Sequence, residues 1–183
     1  MAHRSVPILP SYTQISIQKL MANVEVYDAT TSSPVADLLF NSKSDTHSWL
    51  SNFYVAPFTL DGEEWTSVEH YFQTQKFPYD AAYRSRIRSA STAAYAKRLG
   101  STRTVPIRAD WDEVRVDIMR RAISAKFENK DLQRALLDTG NSRLVENSNR
   151  DLFWGERQGR GHNKLGELLM ELRAKLCTRS ETK

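Results

Sequence analysis

The sequence of 183 residues contains little cysteine and no long apolar run, and each absence excludes a class of protein. The single cysteine, Cys177, excludes an internal disulfide and any zinc cluster built from cysteines, and it fits a reducing, intracellular setting. No segment approaches the roughly 20 consecutive apolar residues that a membrane-spanning helix needs. With 40% hydrophobic and 26% charged residues, the composition is that of one ordinary globular domain.

Acidic residues are missing from residues 81–109, although this stretch is rich in basic ones. The Lys and Arg side chains within it are Arg84, Arg86, Arg88, Lys97, Arg98, Arg103 and Arg108. A positive field of this density attracts phosphates, either on a small ligand or on nucleic acid. A solvated basic surface without a ligand would show the same pattern, so charge alone does not choose between the two.

Residues 1–36 are predicted to form a poorly ordered N-terminal extension, followed by one domain over residues 37–178 and a tail over 179–183. Residues 1–24 also lack acids, and Pro7 and Pro10 interrupt their short apolar stretches. An extension, or alternatively a transit peptide, fits this composition better than a secretory signal does. The predicted location is therefore intracellular, in the cytoplasm.

The spacing of apolar residues predicts a mainly helical α+β domain with a small β-sheet. Asp61-Gly62 separates two short apolar runs and predicts a hairpin, because both turn residues need positive φ. Further strands are predicted at residues 37–40, 144–145 and 152–154. Helices are predicted from Thr66 and over residues 81–88, 92–99, 111–127, 131–138 and 164–176, with Gly100 as a left-handed residue after the third.

The segment Thr66-Ser67-Val68-Glu69 matches a capping box, in which the Thr66 hydroxyl and the Glu69 carboxylate satisfy free amides at the helix start. That role is a sufficient structural explanation of Glu69. A carboxylate in the first helical turn is also stabilised as the anion by the helix dipole, which suits a charge stabiliser or a base. Adjacent helical residues point about 100° apart, so His70 is expected to be structural.

A second polar segment, residues 149–166, contains glycines that bracket the start of the last helix: Gly159, Gly161 and Gly166. Glycines let a backbone approach a ligand closely, and free N–H groups at a helix N-terminus attract anions. Arg157, Arg160 and Lys164 would reinforce such a phosphate site. A flexible loop with Asn163 as an ordinary N-cap explains the same residues.

Glu69 and Asp151 form a candidate pair of carboxylates. Cleavage of a glycosidic bond needs acid assistance to the leaving group and negative charge near an oxocarbenium-like carbon, and an N-glycosidic bond poses the same problem. Trp111, at the start of the longest predicted helix, could stack on a base or a ribose, although a core position is its default. Lys43 and Lys76 could bind phosphate or attack an anomeric carbon as amines, or they could simply lie on the surface.

Taken in order along the chain, several motifs resemble the NADAR family, also called YbiA-like, over about residues 37–177. The matching pieces are Phe40-Asn41-Ser42-Lys43, Leu50-Ser51-Asn52-Phe53, Asp61-Gly62 with Trp65, Ser67-Val68-Glu69-His70-Tyr71-Phe72-Gln73, Gln75-Lys76-Phe77, Ala109-Asp110-Trp111, Lys126-Phe127, Asp151-Leu152-Phe153-Trp154-Gly155, Gly159-Arg160-Gly161, Asn163, Leu165-Gly166 and Leu169-Met170-Glu171-Leu172-Arg173. No single piece is specific, but their joint order is. Asn41, Ser48 and Thr74 depart from the residues that are usual in the family.

The resemblance implies a single mainly helical domain that acts on ADP-ribose-like or phosphoribosyl ligands without a metal or a redox cofactor. Two activities are associated with such proteins. One hydrolyses the N-glycosidic bond of early riboflavin-pathway intermediates, and the other removes ADP-ribose from the amino group of guanine in nucleic acid. Both cut a bond between ribose C1 and an exocyclic amine, and the basic stretch favours the second, with ADP-ribosylated DNA or RNA as partner.

Carried over by position, the resemblance assigns the catalytic roles to Glu69, Trp111 and Asp151. The candidates for ligand contact are Lys43, Asn52, Lys76, Arg103, Gly159, Gly161 and Asn163. In the expected mechanism the two carboxylates flank the anomeric carbon, where one stabilises positive charge and positions water while the other assists the departing amine. A variant uses Lys43 or Lys76 in a transient Schiff base. The alternative from another class is a module that binds ADP-ribose or NAD without cleaving it.

Overall fold

The computed structural model describes residues 36–181, and all statements about the structure refer to this part of the chain. Its strands are β1 (Leu38–Phe40), β2 (Phe58–Leu60), β3 (Glu63–Trp65), β4 (Leu144–Glu146), β5 (Glu156–Arg157) and β6 (Arg160–Gly161). Its helices are α1 (Val68–Thr74), α2 (Ala81–Arg88), α3 (Ala93–Gly100), α4 (Trp111–Lys126), α5 (Lys130–Asp138) and α6 (Lys164–Glu181). The predicted mainly helical α+β fold is confirmed. The predicted N-terminal extension lies outside the described residues, apart from Ala36.

The six strands pair into three small sheets of two strands each within residues 36–181. β1 and β4 are parallel, with Phe40 opposite Glu146. The predicted hairpin is confirmed, since β2 and β3 are antiparallel and the turn residues Asp61 and Gly62 have φ of 55° and 77°. Such a turn matches the natural twist of the flanking strands, which is why it follows from an Asp-Gly pair.

The short helix α1 lies at the centre of the fold, with every one of its residues buried. Tyr71 packs edge-on against Trp65 of β3, and Phe72 contacts Trp111 of α4. A helix of seven residues is unstable alone in water, so its apolar contacts must hold it. Each large apolar side chain buried here contributes about 1.5–3 kcal/mol. The polar residues of α1 are therefore carried into the interior with it.

The long helices pack by the apolar stripes that predicted them. On α4, Trp111, Ile118 and Ala122 face the core, and on α6 the residues Leu165 and Leu169 do so. α6 extends to Glu181, beyond its predicted end at residue 176. A smaller apolar cluster of Phe77, Ile87, Ala96 and Leu99 holds α2 and α3 together. No helix within residues 36–181 is both long and apolar enough to cross a membrane.

A buried lysine fixes the segment that leads to Asn52. Lys126, at the end of α4, is 2% exposed, and its Nζ donates to the carbonyl oxygens of Trp49 and Ser51 at 2.7 and 2.9 Å. Burial lowers the pKa of Lys126 to about 7. The Ser51 carbonyl also accepts from the Tyr54 amide at 3.2 Å, whereas the Trp49 carbonyl has no other donor within residues 36–181. Lys126 thus satisfies the Trp49 carbonyl and ties the segment before Asn52 to the end of α4.

The predicted capping box at Thr66 is wrong. The N-cap of α1 is Ser67, and its hydroxyl bonds to Nδ1 of His70 at 2.7 Å instead of to a backbone amide. Nε2 of His70 lies 3.0 Å from the carbonyl oxygen of Ala90, which confirms that His70 is structural. The Glu69 carboxylate also caps no helix-start amide, since it accepts from the side chains of Asn52 and Gln73.

Two further predictions fail for packing reasons. Residues 152–154 form a turn instead of a strand. Gly100 is the last residue of α3 and lacks a positive φ, so it is not the predicted left-handed residue. A Cβ at Gly100 would collide with the side chain of Gln73, whose own Cβ would be only 2.7 Å away. Glycine is needed at this position because α1 and α3 approach each other closely there.

Candidate active site

A cavity of about 270 Å³ opens beside α1 and collects charged and aromatic side chains. Its acidic residues are Glu69, Glu146 and Asp151, and its basic residues are Lys76, Lys97 and Arg115. Its aromatic residues are Phe53, Phe72, Trp111, Phe153 and Trp154. Five predicted site residues therefore meet at one place: Glu69, Asp151, Trp111, Lys76 and Asn52.

Glu69 is 1% exposed and is held by two amides. Nδ2 of Asn52 donates to one carboxylate oxygen, and Nε2 of Gln73 donates to the other at 2.7 Å. The backbone amide of Glu69 also donates to the carbonyl of Asn52 at 2.9 Å. Burial raises the pKa of Glu69, an effect that Lys97, the Gln73 amide and Lys76 oppose and that Asp151 reinforces. The side chain is thus fixed in one orientation at the cavity wall.

Gln73 links the carboxylate to the close contact between α1 and α3. Its amide nitrogen donates to Glu69, while its Oε1 lies against Gly100 and has no hydrogen-bond partner within residues 36–181. The absence of a side chain at Gly100 leaves the space that Gln73 occupies. The orientation of Glu69 therefore depends on a glycine in another helix.

Asp151 also lines the cavity and is partly exposed. Its carboxylate is 3.5 Å from Nζ of Lys97 in α3 and accepts a hydrogen bond from the Trp154 amide at 3.3 Å. The Asp151 amide in turn donates to the hydroxyl of Ser148 at 3.1 Å. Both members of the ion pair are partly exposed, so the pair adds little to folding stability and is available to a ligand.

Aromatic rings form one wall of the cavity. The rings of Phe72 and Trp111 are 4.9 Å apart, and Trp154 meets Phe72 edge-on at 5.4 Å. Nζ of Lys76 lies 5.4 Å from the centre of the Trp111 ring and donates to the carbonyl of Gly100 at 3.0 Å. Burial lowers the pKa of Lys76, and Glu69 opposes that shift. Trp111 is therefore both a core residue and a cavity residue.

Three charged residues of the cavity were not predicted as site residues: Lys97 was noted only as part of the basic stretch, and Glu146 and Arg115 were missed altogether. Glu146 follows two apolar residues at the end of β4, and only this placement after a buried strand could have indicated it. Arg115, one turn after Trp111, lies with its guanidinium 3.8 Å from the centre of the Phe153 ring, and its Nε has no hydrogen-bond partner within residues 36–181. Its spacing of four from Trp111 places both on one side of α4, which was a usable signal.

A wider groove of about 720 Å³ continues from the cavity. The two share Phe53, Lys97, Glu146, Ser148 and Asp151. Lys43 is exposed and lines the groove, so the structure places it near the cavity but not within it. A ligand larger than the cavity would extend into this groove.

Four predicted contact residues lie outside the cavity lining. Arg103 is exposed between α3 and α4, and Gly159 and Gly161 are exposed on the β5–β6 hairpin. Asn163 is 3% exposed and fills a structural position, because it accepts from the Glu146 amide at 3.0 Å and donates to the Leu144 carbonyl at 2.8 Å. Asn163 therefore fixes β4 and, through it, the backbone of Glu146.

The first amides of α6 are not free to bind an anion. The amides of Lys164 and Leu165 donate to the carbonyls of Phe153 and Trp154 at 3.2 and 3.0 Å, and the Asn163 amide donates to Gly155 at 3.1 Å. The turn at residues 152–154 supplies these carbonyls, which explains why it is not a strand. The anion site that the glycines suggested lacks its donors.

The cavity combines what cleavage of a glycosidic bond requires. Carboxylates on two sides can stabilise an oxocarbenium-like carbon, the aromatic wall can hold a flat ring, and the three cations can bind phosphate. Within residues 36–181, no three His, Cys, Asp or Glu side chains are grouped so that they could hold a metal ion.

Comparison with known proteins agrees with this geometry. The NADAR domain family matches residues 39–177. The N-glycosidase YbiA of Escherichia coli is 45% identical over 140 residues, which cover 75% of this chain and 87% of that protein. An N-glycosidase of Nostoc punctiforme is 42% identical over 69% of this chain and 83% of its own length. A riboflavin biosynthesis protein of Vibrio vulnificus is 38% identical over 82% of this chain, but over only 41% of its own length.

The similarity extends to the fold. The solution structure of Escherichia coli YbiA matches with a TM-score of 0.73 and 41% sequence identity, covering 81% of this chain and 89% of the other. The chain therefore belongs to the NADAR domain family, as an N-glycosidase homologous to YbiA.

Proposed function

We propose that the chain hydrolyses the bond between C1 of a phosphorylated ribose and an exocyclic amine, and that its preferred substrate is ADP-ribosylated guanine in nucleic acid. The observation that supports this most is the buried carboxylate of Glu69, fixed by Asn52 and Gln73 at the wall of a cavity shared with Asp151. A carboxylate fixed in a partly enclosed site stabilises a developing cation more strongly than one in water does. Burial raises the pKa of Glu69, and Lys97, the Gln73 amide and Lys76 favour its ionised form against that effect.

In this proposal Glu69 and Asp151 flank the anomeric carbon. One carboxylate stabilises the positive charge, and the other positions the attacking water and accepts its proton. Trp111 stacks against a ring of the substrate, and Lys76, Lys97 and Arg115 compensate phosphate charge. These roles match the lining of the cavity, which brings all six side chains together.

The basic residues favour a nucleic-acid substrate over a free mononucleotide. Arg86, Arg98 and Arg103 are exposed, and none of them forms an ion pair within residues 36–181. Lys97 of the same helix as Arg98 lines the cavity, so this basic surface borders the site. Phosphates of a strand lying across it would place a modified base at the groove.

The direct test offers two substrates to the purified chain under the same conditions. One is DNA that carries ADP-ribosylated guanine, and the other is a phosphoribosylaminopyrimidine. Release of ADP-ribose at a higher kcat/KM than release of the aminopyrimidine is expected. A higher kcat/KM on the pyrimidine would favour the second candidate, a riboflavin-pathway N-glycosidase, which the similarity to the Vibrio vulnificus riboflavin protein supports.

A covalent version of the mechanism uses a lysine as the nucleophile. Lys76 suits this role because it lines the cavity and burial lowers its pKa, which increases the neutral fraction of the amine. Lys43 could reach a ring-opened ribose only from the groove. Borohydride added during turnover, followed by mass spectrometry, separates the versions: a ribosyl adduct on a lysine supports the covalent one, and its absence supports direct attack by water.

The alternative is a module that binds ADP-ribose without cleaving it. Turnover that is lost when Glu69 is replaced would exclude this alternative. The variant Glu69→Gln keeps the size of the side chain and removes its charge. If the wild-type chain shows no turnover, and ADP-ribose binding measured by calorimetry is unchanged in Glu69→Gln, the enzymatic proposal is wrong.

A further inference from the structure

We propose that Glu146 is a third catalytic carboxyl, the one that delivers a proton to the departing amine. This inference rests on the proposed cleavage of a bond between C1 and an exocyclic nitrogen. It starts from a difference among the three acids of the cavity. Glu69 accepts from two amides and Asp151 from the Trp154 amide, whereas nothing within residues 36–181 donates a hydrogen bond to the Glu146 carboxylate.

The backbone of Glu146 is fixed although its carboxylate is not. β4 pairs with β1 at this residue, and the Glu146 amide donates to Asn163 at 3.0 Å. The carbonyl of Glu146 packs so closely on Gly155 that a Cβ there would lie 2.6 Å from its oxygen. The side chain is therefore presented from a rigid strand end, with freedom only in its own rotamers.

Glu146 also lies where a leaving group would pass. It lines both the cavity and the groove, at their junction with Lys97 and Asp151. If the ribose occupies the cavity beside Glu69, the base that it carries lies in the groove, and the bridging nitrogen lies between them. A carboxyl at the junction can reach that nitrogen without displacing either half of the substrate.

The surroundings of Glu146 keep a substantial fraction of its carboxyl protonated at neutral pH. Burial and the charge of Asp151 raise the pKa of Glu146 to about 7, against the opposing effect of Lys97, and Glu69 adds a further increase. A general acid is most effective when its pKa lies near the working pH. Glu69 is less suited for a geometric reason, because its two carboxylate oxygens already accept hydrogen bonds from the Asn52 and Gln73 amides.

The step balances without a further reactant. The bond between C1 and the nitrogen breaks, its electron pair goes to the nitrogen, and the Glu146 proton transfers to the same atom. The amine leaves neutral and Glu146 becomes a carboxylate. Water adds to C1 and gives its proton to Glu69 or Asp151. Exchange of protons with solvent through the open groove then restores both groups.

The test compares the wild-type chain with Glu146→Gln on two substrates that differ in their leaving group. In the first it is the exocyclic amine of the preferred substrate, and in the second it is the p-nitrophenolate of p-nitrophenyl ribofuranoside 5-phosphate, which leaves without a proton. Loss of a general acid is expected to lower kcat/KM on the amine about 10²–10⁴-fold and on p-nitrophenolate less than about tenfold. Glu128→Gln, an exposed glutamate, serves as the matched control and is expected to behave as wild type.

The pH profile provides a second readout. The wild-type kcat/KM on the amine is expected to fall above about pH 7, as Glu146 loses its proton, and Glu146→Gln is expected to lose this alkaline limb. Glu146→Asp keeps a proton donor, so it should recover part of the activity if the glutamine variant fails to fold.

Each contrary result has a distinct meaning. Equal losses on both leaving groups, or an alkaline limb that persists in Glu146→Gln, would show a structural role and overturn the assignment. Unchanged kcat/KM in Glu146→Gln would overturn it as well. A wild-type chain that cleaves neither substrate would contradict the proposed function itself, and the role of Glu146 with it.

Discussion

Charged side chains in the cavity lie against one another and against aromatic rings, whereas the two arginines of the β5–β6 hairpin are exposed. Lys97 meets Asp151 at 3.5 Å and Arg115 covers the ring of Phe153. By contrast, Arg160 is exposed, and the guanidinium of Arg157, also exposed, bonds within residues 36–181 only to Asn149. Two unit charges 4 Å apart interact by about 1 kcal/mol in water and by about 4 kcal/mol where the effective dielectric constant is near 20. The same residue types therefore act more strongly on a ligand in the cavity than on one at the hairpin.

Glycines also have different roles in the two regions. Gly100 lies behind the cavity and leaves space for Gln73, which orients Glu69. Gly161 lies in the hairpin with φ of 126°, packed against the backbone of residues 155–156. The first glycine supports the orientation of Glu69, a proposed catalytic residue, and the second supports the fold. Substitutions in each region test this difference.

Asp151→Asn is expected to have the largest effect. It removes one cavity charge without changing the size of the side chain, so kcat should fall about 10³-fold, or about 4 kcal/mol in the barrier. Because the pair with Lys97 is partly exposed, the melting temperature should change by less than about 2 °C. Steady-state kinetics and calorimetry measure the two quantities. A kcat within tenfold of wild type would remove Asp151 from the mechanism.

Gly161→Ala is expected to lower stability while leaving catalysis intact. A Cβ at this residue would meet the Gly155 carbonyl and lie 2.9 Å from Cα of Glu156, in a backbone conformation that disfavours a side chain. The free energy of unfolding should fall by about 2 kcal/mol and the melting temperature by roughly 4–8 °C. The matched control is Gly159→Ala, with positive φ but open space, which should lose only about 1 kcal/mol.

A fall in kcat of the folded Gly161→Ala protein would contradict a purely structural role. The glycine would then contribute to the site directly, as the sequence motif suggested, and the hairpin would belong with the cavity.

Gly100→Ala is expected to differ from Gly161→Ala because its loss appears in activity as well as in stability. Alanine favours a helix over glycine by about 1 kcal/mol, which offsets only part of the clash, since the Cβ of Gln73 would lie 2.7 Å from the added methyl group. Displacement of Gln73 removes one of the two donors to Glu69, so kcat should fall about tenfold, with a lower melting temperature. Gln73→Ala should cause a similar loss, and the double variant should add nothing to it. Additive losses would contradict this coupling.

The sequence predicted those parts of the fold and site that depend on local patterns. The Asp61-Gly62 hairpin and the stripe on α4 follow from residues close together in the chain. The role of Gly100 could not be predicted, because glycine is required there by the close contact with Gln73 in another helix. Glu146 was missed for the same cause, since it reaches the cavity only through pairing of β4 with β1 across more than 100 residues.

The glycine-rich segment shows that a local motif can also suggest a site whose donors are used within the fold. Free amides at the start of α6 were a sound expectation, but the turn at 152–154 supplies carbonyls to them. Whether an N-terminus binds an anion or its own chain depends on a turn that the local sequence suggested was a strand. The family resemblance predicted roles for Glu69, Trp111 and Asp151 because it compared the whole order of motifs, and the three residues line one cavity.

The double variant of Arg157→Ala and Arg160→Ala is expected to have the smallest effect of all. Both side chains are exposed on a hairpin whose neighbouring amides bond within the fold, so kcat/KM on ADP-ribosylated DNA should change less than about twofold. Arg86→Ala with Arg98→Ala removes the same charge from the basic surface and should lower that kcat/KM about tenfold at low salt, since phosphate contacts there are screened by added salt. On a mononucleotide substrate neither pair should matter. If the double variant of Arg157 and Arg160 weakens binding of both substrates equally, the hairpin binds a phosphate group that both substrates carry. The ligand-binding surface would then include β5–β6 as well as the cavity.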